Sequence, residues 1–309
     1  MPHRPSRLQR TARPARGRCA LAEGHAHVCN TSTGMCYPPG GWWLDLCAAA
    51  EMNTPTHTTM ELQGQALIIT GGASGIGHQA ALQLADKGAN LIIADFNLEG
   101  AEQVAREIAA KGVKAFAYKV DVSKVAEVEA LVDFAVEKLG TLNGIFNNAG
   151  IGLVKPFLEM DPASYHKVIE VDQHSVYYGM YYAAKKMVAL GAKGTFVNTA
   201  SIYGFQAAVG SFNYNAAKAA VVMMSKSGAL ELAPHGIRVV GVAPGFINTP
   251  ILGNDAAMKK MLGDMHLHKQ LIEPAKVAAV VAFLFTDAAS AINGSTVPVD
   301  DGFLIHRNG

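Results

Sequence analysis

From residue 64 the chain alternates between short apolar runs and longer stretches of helical period. The apolar runs are Ala66–Thr70, Asn90–Ala94, Lys114–Val120, Gly144–Asn147, Gly194–Thr199, Arg238–Ala243 and Thr296–Val299. They are apolar throughout rather than at every second position, so they read as parallel strands covered on both faces. Between them, Ala126–Leu139 sets Val128, Leu131, Val132, Ala135, Val136 and Leu139 on one face of a helix. Pro162 directly after Asp161 marks the first turn of another helix, with Asp161 as its N-cap. Regular β–α alternation predicts an α/β fold: a single doubly wound parallel sheet, a Rossmann fold of about seven strands with helices on both faces. Its crossovers must be right-handed. No internal repeat and no low-complexity linker divides residues 61–309, which read as one domain.

Composition narrows the picture. Half of the 309 residues are hydrophobic and 17% are charged, which excludes an intrinsically disordered chain. The formal net charge of +1 offers no electrostatic footprint for nucleic acid or an anionic membrane. The apolar run Val277–Phe285 is far shorter than the roughly 20 residues of a spanning helix. A soluble, cytoplasmic protein with neither nucleic-acid nor membrane partner is expected. Glycine, at 31 residues, is in excess and points to backbone approaching a ligand closely.

Residues 1–60 have another character. Arg4, Arg7, Arg10, Arg13, Arg16 and Arg18 occur there without an acid before Glu23, and all four cysteines and both tryptophans lie in this stretch. An Arg-rich, acid-poor segment resembles a transit peptide, but Pro2, Pro5 and Pro14 interrupt an amphipathic helix. His25, His27, Cys29 and Cys36 are metal-ligand types whose spacing matches no standard zinc pattern, and no metal is expected. The favoured reading is a disordered or non-functional extension, with Met52 and Met60 as later starts.

The first candidate for chemistry is Thr70-Gly71-Gly72-Ala73-Ser74-Gly75-Ile76-Gly77, which follows the first strand and opens a helix. Gly71 permits a tight exit from the strand. Gly75 and Gly77 clear the helix N-terminus, whose free N–H groups and dipole favour a pyrophosphate. Asp95 ends the second strand 18 residues past Gly77, near the spacing expected of a carboxylate that accepts the ribose hydroxyls of NAD. It would repel the 2′-phosphate of NADP, and neither Phe96, Ala73 nor Ser74 offers a cation against that. NAD is therefore the expected cofactor.

At this point the chain resembles the short-chain dehydrogenase/reductase family, across residues 62–305. Besides the glycine loop, Asp121-Val122 is similar to the family's adenine-contacting pair and Asn147-Asn148-Ala149-Gly150 to its N-N-A-G segment. Ser201 matches the catalytic serine, and Tyr214-Asn215-Ala216-Ala217-Lys218 matches Y-x-x-x-K. Pro244-Gly245, Ile247 and Thr249 match the loop that holds the nicotinamide. The resemblance implies a dehydrogenase domain over 61–309 and a homo-oligomer, commonly a tetramer, built on long helices beginning near Gln173 and Tyr214. It implies that Ser74 and Ile76 join the glycines at the cofactor, and that Lys218 bonds the nicotinamide ribose.

The residue types suit the chemistry. Tyr214 and Lys218 are four apart and share a helix face. A phenol ionises near pH 10; an adjacent ammonium and an oxidised nicotinamide favour the phenolate. Tyr214 would then act as general acid/base while Ser201 steadies the substrate oxygen. Two positions depart from the family. Asp172, in Val171-Asp172-Gln173-His174-Ser175, stands where relatives carry the Asn of a proton relay; an ionised Asp172 near Lys218 would compete for the ammonium and lift the Tyr214 pKa. Asp300-Asp301-Gly302 replaces D-G-G, with little chemical effect expected. His266 and His268 read as a solvated face rather than a metal pair, and His174 as a surface or packed residue.

Substrate would meet Ile202, Tyr203, Phe205, Gln206, Val209 and Phe212 after Ser201. A lid from Phe246 towards Glu273 carries Ile251, Leu252, Met258, Met261, Leu262 and Met265, and Leu153 and Val154 add a wall. This apolar, adaptable lining suits a hydrophobic secondary alcohol or ketone. The alternatives are a 3-oxoacyl-carrier-protein reductase, with Lys259, Lys260 and Lys269 facing an acidic carrier, and a non-catalytic NAD-binding sensor or scaffold.

Overall fold

The computed structural model describes residues 61–305, so the expectations for residues 1–60 lie outside the described residues. Seven strands form: β1 (Ala66–Thr70), β2 (Asn90–Asp95), β3 (Ala115–Lys119), β4 (Gly144–Asn147), β5 (Gly194–Thr199), β6 (Ile237–Pro244) and β7 (Thr296–Val299). Each lies within one residue, at either end, of the run that predicted it. They make one sheet in the order β3-β2-β1-β4-β5-β6-β7, and every pair is parallel.

Alternate residues of the strands feed two cores, as the pleat requires. Leu67, Ile69, Leu91 and Ile93 face α1 (Gly75–Asp86), α2 (Leu98–Ala109) and the later helix Pro274–Phe285. Ile68, Ile92 and Ile145 face α3 (Val125–Leu139) and two long helices, Ser175–Leu190 and Phe212–Leu232. Burying each such side chain contributes roughly 1.5–3 kcal/mol. The two edge strands differ from the expectation of full cover: β3 and β7 remain partly exposed, because an edge strand has a neighbour on one side only.

Asp161 caps α4 (Pro162–Ile169), accepting from the Ser164 N–H at 2.8 Å. Lys155, 2.8 Å away, and the Ser164 N–H hold its carboxyl well below the usual carboxylate range. α4 passes through a π turn, Glu170–His174, into α5 (Ser175–Leu190). α6 is Phe212–Leu232, α7 Ala256–Asp264 and α8 Pro274–Phe285. The long helices thus begin at Ser175 and Phe212, within two residues of expectation. Strand order reverses between β1 and β4, which opens a crevice at the carboxyl ends of the strands. No helix among the described residues is long and apolar enough to cross a membrane.

Candidate active site

The motifs, far apart in sequence, meet at that carboxyl edge. Gly71 and Gly75 have φ of +64° and +55°, which side chains other than glycine rarely adopt. A Cβ at Gly77 would collide with the Gly71 carbonyl oxygen, and one at Gly71 would sit 2.9 Å from the Ala149 Cα. The cradle is closed by Thr70, whose hydroxyl accepts from the N–H groups of Asn148 (3.0 Å) and Ala149 (3.2 Å), while the Asn148 amide donates to Thr70 O at 3.1 Å. Ser74 caps α1 without bonding its first turn, and no acid occupies that turn. The free N–H groups of that first turn and the helix dipole favour an anion. The loop therefore fits a dinucleotide pyrophosphate.

Asp95 accepts from Ala73 N–H (3.0 Å) and Asn97 N–H (2.9 Å), so its carboxylate also braces the turn beside the ribose position. Phe96 is exposed, and the sheet brings Lys119 to 5.8 Å from its ring centre, a cation that the local sequence around Asp95 does not reveal. Asp121 accepts from the Ser123 N–H and hydroxyl at 3.0 and 2.6 Å, and Val122 is buried. Gly150 leaves no room for a side chain, since a Cβ would lie 2.6 Å from Asp172 Oδ1. After β6, Gly245 N–H bonds Val299 O at 3.0 Å, Ile247 bridges Ile272, and Thr249 comes close to Gly75.

Tyr214 and Lys218 project from α6 towards Ser201 at the end of β5. Lys218 is buried, its Nζ 5.4 Å from the Tyr214 ring centre and donating to Thr199 O at 3.0 Å. The π turn swings Asp172 into the same cavity, fully buried, with Oδ1 3.1 Å from Lys218 Nζ and Oδ2 accepting from Ile151 N–H at 3.0 Å. Burial pulls the Lys218 ammonium down, but Asp172 and Tyr214 outweigh it and hold the group above its ordinary value. Burial raises Asp172, against the pull of Lys218 and the Ile151 N–H. Burial also pushes the Tyr214 phenol above its ordinary value; Lys218 and the Ser201 hydroxyl draw it down, and Asp172 adds to the rise. The ammonium therefore acts in the expected direction on the phenol, but desolvation and the carboxylate win in the protein alone.

Comparison with known proteins identifies the family. Residues 71–304 match the family model described as enoyl-(acyl carrier protein) reductase. The chain is 41% identical to cyclohexanol dehydrogenase of Acinetobacter sp. (strain SE19) over 239 residues, 76% of this chain and 93% of that one. The chain belongs to the short-chain dehydrogenase/reductase family. The crystal structure of levodione reductase superimposes with a TM-score of 0.76 at 33% identity, over 80% of this chain and all of that one. A 3-ketoacyl-(acyl-carrier-protein) reductase from Brucella melitensis complexed with NADH does so with a TM-score of 0.73 at 34% identity, covering 78% and 99%.

Several readings of this oxidoreductase's sequence need correction. His266 is not on a solvated face: it is fully buried, with both ring nitrogens bonded to backbone. Only His268 of the two is exposed, pairing with Asp301 at 2.6 Å. Asp301 has φ +44°, left-handed backbone that the usual glycine would adopt freely, and the His268 N–H and ring tether it there. Ile202 does not line the crevice but is buried against Phe246 and Phe303. Of the lid methionines, Met258 and Met261 are exposed while Met265 packs on that cluster. His174, read as a surface or packed residue, needs no correction: it is partly buried beside Tyr178. The hydroxyl of Thr70 and the carbonyl of Thr199 hold the site together, yet no motif reading gives them a role. A hydroxyl residue at a strand end is the one signal for Thr70; a backbone carbonyl such as that of Thr199 leaves none, since its partner lies elsewhere in the chain.

Proposed function

We propose that this dehydrogenase/reductase interconverts a hydrophobic secondary alcohol and its ketone with NAD, Tyr214 serving as general acid/base. The observation that carries the reading is the convergence of Ser201, Tyr214 and buried Lys218 beside the glycine cradle. Gly71, Ser74, Gly75, Ile76 and Gly77 would hold the pyrophosphate. Asp95 and Phe96 would flank the adenosine ribose, Asp121 and Val122 the adenine. Asn148, Ala149, Gly150, Pro244, Gly245, Ile247 and Thr249 would wall the nicotinamide end. Bound NAD supplies the hydride acceptor, and its reduced form the donor. The Tyr214 phenolate takes the alcohol proton as hydride leaves the carbon; in reverse, the phenol returns that proton to the carbonyl oxygen. The Ser201 hydroxyl steadies that oxygen. Lys218, anchored on Thr199 O, keeps a positive charge beside the phenolate and would bond the nicotinamide ribose. Asp172 tempers that charge.

The wall supports an apolar substrate. Tyr203 packs edge-on against Tyr214 and Phe246, and Leu153 packs on the same apolar cluster as Tyr214. A relative named for cyclohexanol supports a ring-sized secondary alcohol. The lid lysines are each engaged locally: Lys259 with Asn248, Lys260 with Asp264 and Lys269 with Asp264 O. That gives an acidic acyl carrier less to bind. A homo-oligomer is part of the proposal, supported by exposed Tyr177 and Tyr181 on α5 and Met223 on α6. Residues 1–60 are proposed to be dispensable.

The test is NAD reduction by the purified protein across secondary alcohols, with Tyr214→Phe as control. Loss of about 100- to 10,000-fold in kcat in the control, with NADH binding intact, is expected. NADH binding without turnover by the natural sequence, in either direction, would instead favour a non-catalytic binding protein.

A further inference from the structure

His266 lies just beyond α7 and is fully buried. Its Nε2 accepts from the Phe246 N–H at 3.1 Å, and its Nδ1 lies 2.7 Å from Gln270 O. A backbone N–H only donates and a carbonyl only accepts, so the bonds assign the tautomer: proton on Nδ1, lone pair on Nε2. The same ring fills the space above Gly245, where a Cβ would sit 2.7 Å from Nε2.

This imidazole completes a short zip between two segments. Phe246 O accepts from Ile272 N–H at 3.0 Å and Asn248 N–H donates to Ile272 O at 2.9 Å. With His266, the backbone of residues 246–248 is held by residues 266–272. The Phe246 ring lies 5.6 Å from that of His266 and 6.0 Å from Tyr203, edge-on; Tyr203 in turn stands 6.4 Å from Tyr214, edge-on. Phe303 closes the group at 5.4 Å from Phe246. A path of packed rings thus runs from the histidine to the reacting phenol.

We propose that His266, as the neutral imidazole protonated at Nδ1, is a positioning residue that pins the nicotinamide-facing loop to the lid and, through Phe246 and Tyr203, sets the Tyr214 ring. The inference rests on the proposed roles of Tyr214 and the Pro244–Thr249 loop. Among the groups around the ring, Asp301 from the C-terminal loop carries charge and is paired with His268. The Asp300 carboxylate is taken up by the N–H groups of Gly302 and Leu304. Asp264 is paired with Lys260. Gly245, Phe246, Gln270 and Phe303 bring no charge.

The test uses the full chain and ketone reduction with NADH at neutral pH. Four proteins are compared: the natural sequence, His266→Gln, His266→Ala and His268→Gln. The natural protein and His268→Gln should share one kcat. His266→Gln, whose side-chain oxygen can accept from the Phe246 N–H, should keep the natural rate. His266→Ala, which leaves that buried N–H unpaired, should be about tenfold low in kcat with little change in KM for the ketone. Amide exchange at residues 246–249 and 266–272 should quicken together in His266→Ala and recover in His266→Gln. A natural kcat in His266→Ala, a loss in His266→Gln as large as that in His266→Ala, or faster exchange in one segment alone overturns the proposal. Absence of turnover in the natural protein would overturn the functional reading instead, and the exchange data would then judge the clamp by themselves.

Discussion

Replacing Asp172 by Asn removes one charge from the buried cluster and leaves its shape. The carboxylate lies 3.1 Å from Lys218 Nζ. At an effective dielectric of about 20, two unit charges at that separation attract by about 5 kcal/mol. The same ammonium lies 5.4 Å from the Tyr214 ring centre and, by attraction, favours the phenolate. The carboxylate opposes that attraction, because it repels the phenolate from within the same cavity. A tenfold change in the ionisation needs about 1.4 kcal/mol, a fraction of an interaction of that size. Alcohol oxidation needs the phenolate, so its rate rises with pH as Tyr214 ionises. Asp172→Asn should therefore displace the kcat/KM profile for oxidation towards lower pH and raise the rate at neutral pH by about tenfold. The assay is NAD reduction from pH 6 to 10, with circular dichroism to confirm the fold. A superposable profile would show that Asp172 does not act on the phenol. A shift to higher pH would refute the reasoning differently: burial would then have discharged Lys218 once its partner was gone.

Two further outcomes follow from other parts of the molecule. Asp95→Ala should cost NAD about 10- to 100-fold in kcat/KM, the worth of charge-assisted bonds to the ribose, while NADP loses far less because Lys119 stays nearby; an unchanged NAD to NADP ratio would sink the assignment of Asp95. Asp161→Ala should lower Tm at neutral pH. The native carboxyl is held below its ordinary value, so its contribution is present above that value and fades as pH falls through the depressed range. Melting curves that differ equally at pH 7 and in strong acid would contradict this.

Relations between near neighbours are legible in the amino-acid order itself. The apolar runs at Ile68 or Val197, the cap at Asp161 and the tight turn after β1 depend on residues only a few positions away. Hydrophobic period, turn chemistry and short motifs record such relations directly. The placement of Asp172 near Lys218 is also within reach, because the family pattern carries it. Other features depend on partners that no periodicity names. Thr70 meets Asn148 across 78 positions, Lys119 reaches Phe96 from the next strand, and His266 closes on Phe246 from the far side of the lid. A histidine between Met265 and Leu267 reads as surface, since the sequence shows a polar residue but not the backbone N–H and carbonyl that satisfy it. Burying a polar group is costly without partners and tolerable with them. Sequence periodicity determined which faces turn inward; only the tertiary structure decided which polar groups find partners there, and so which are held ready for chemistry.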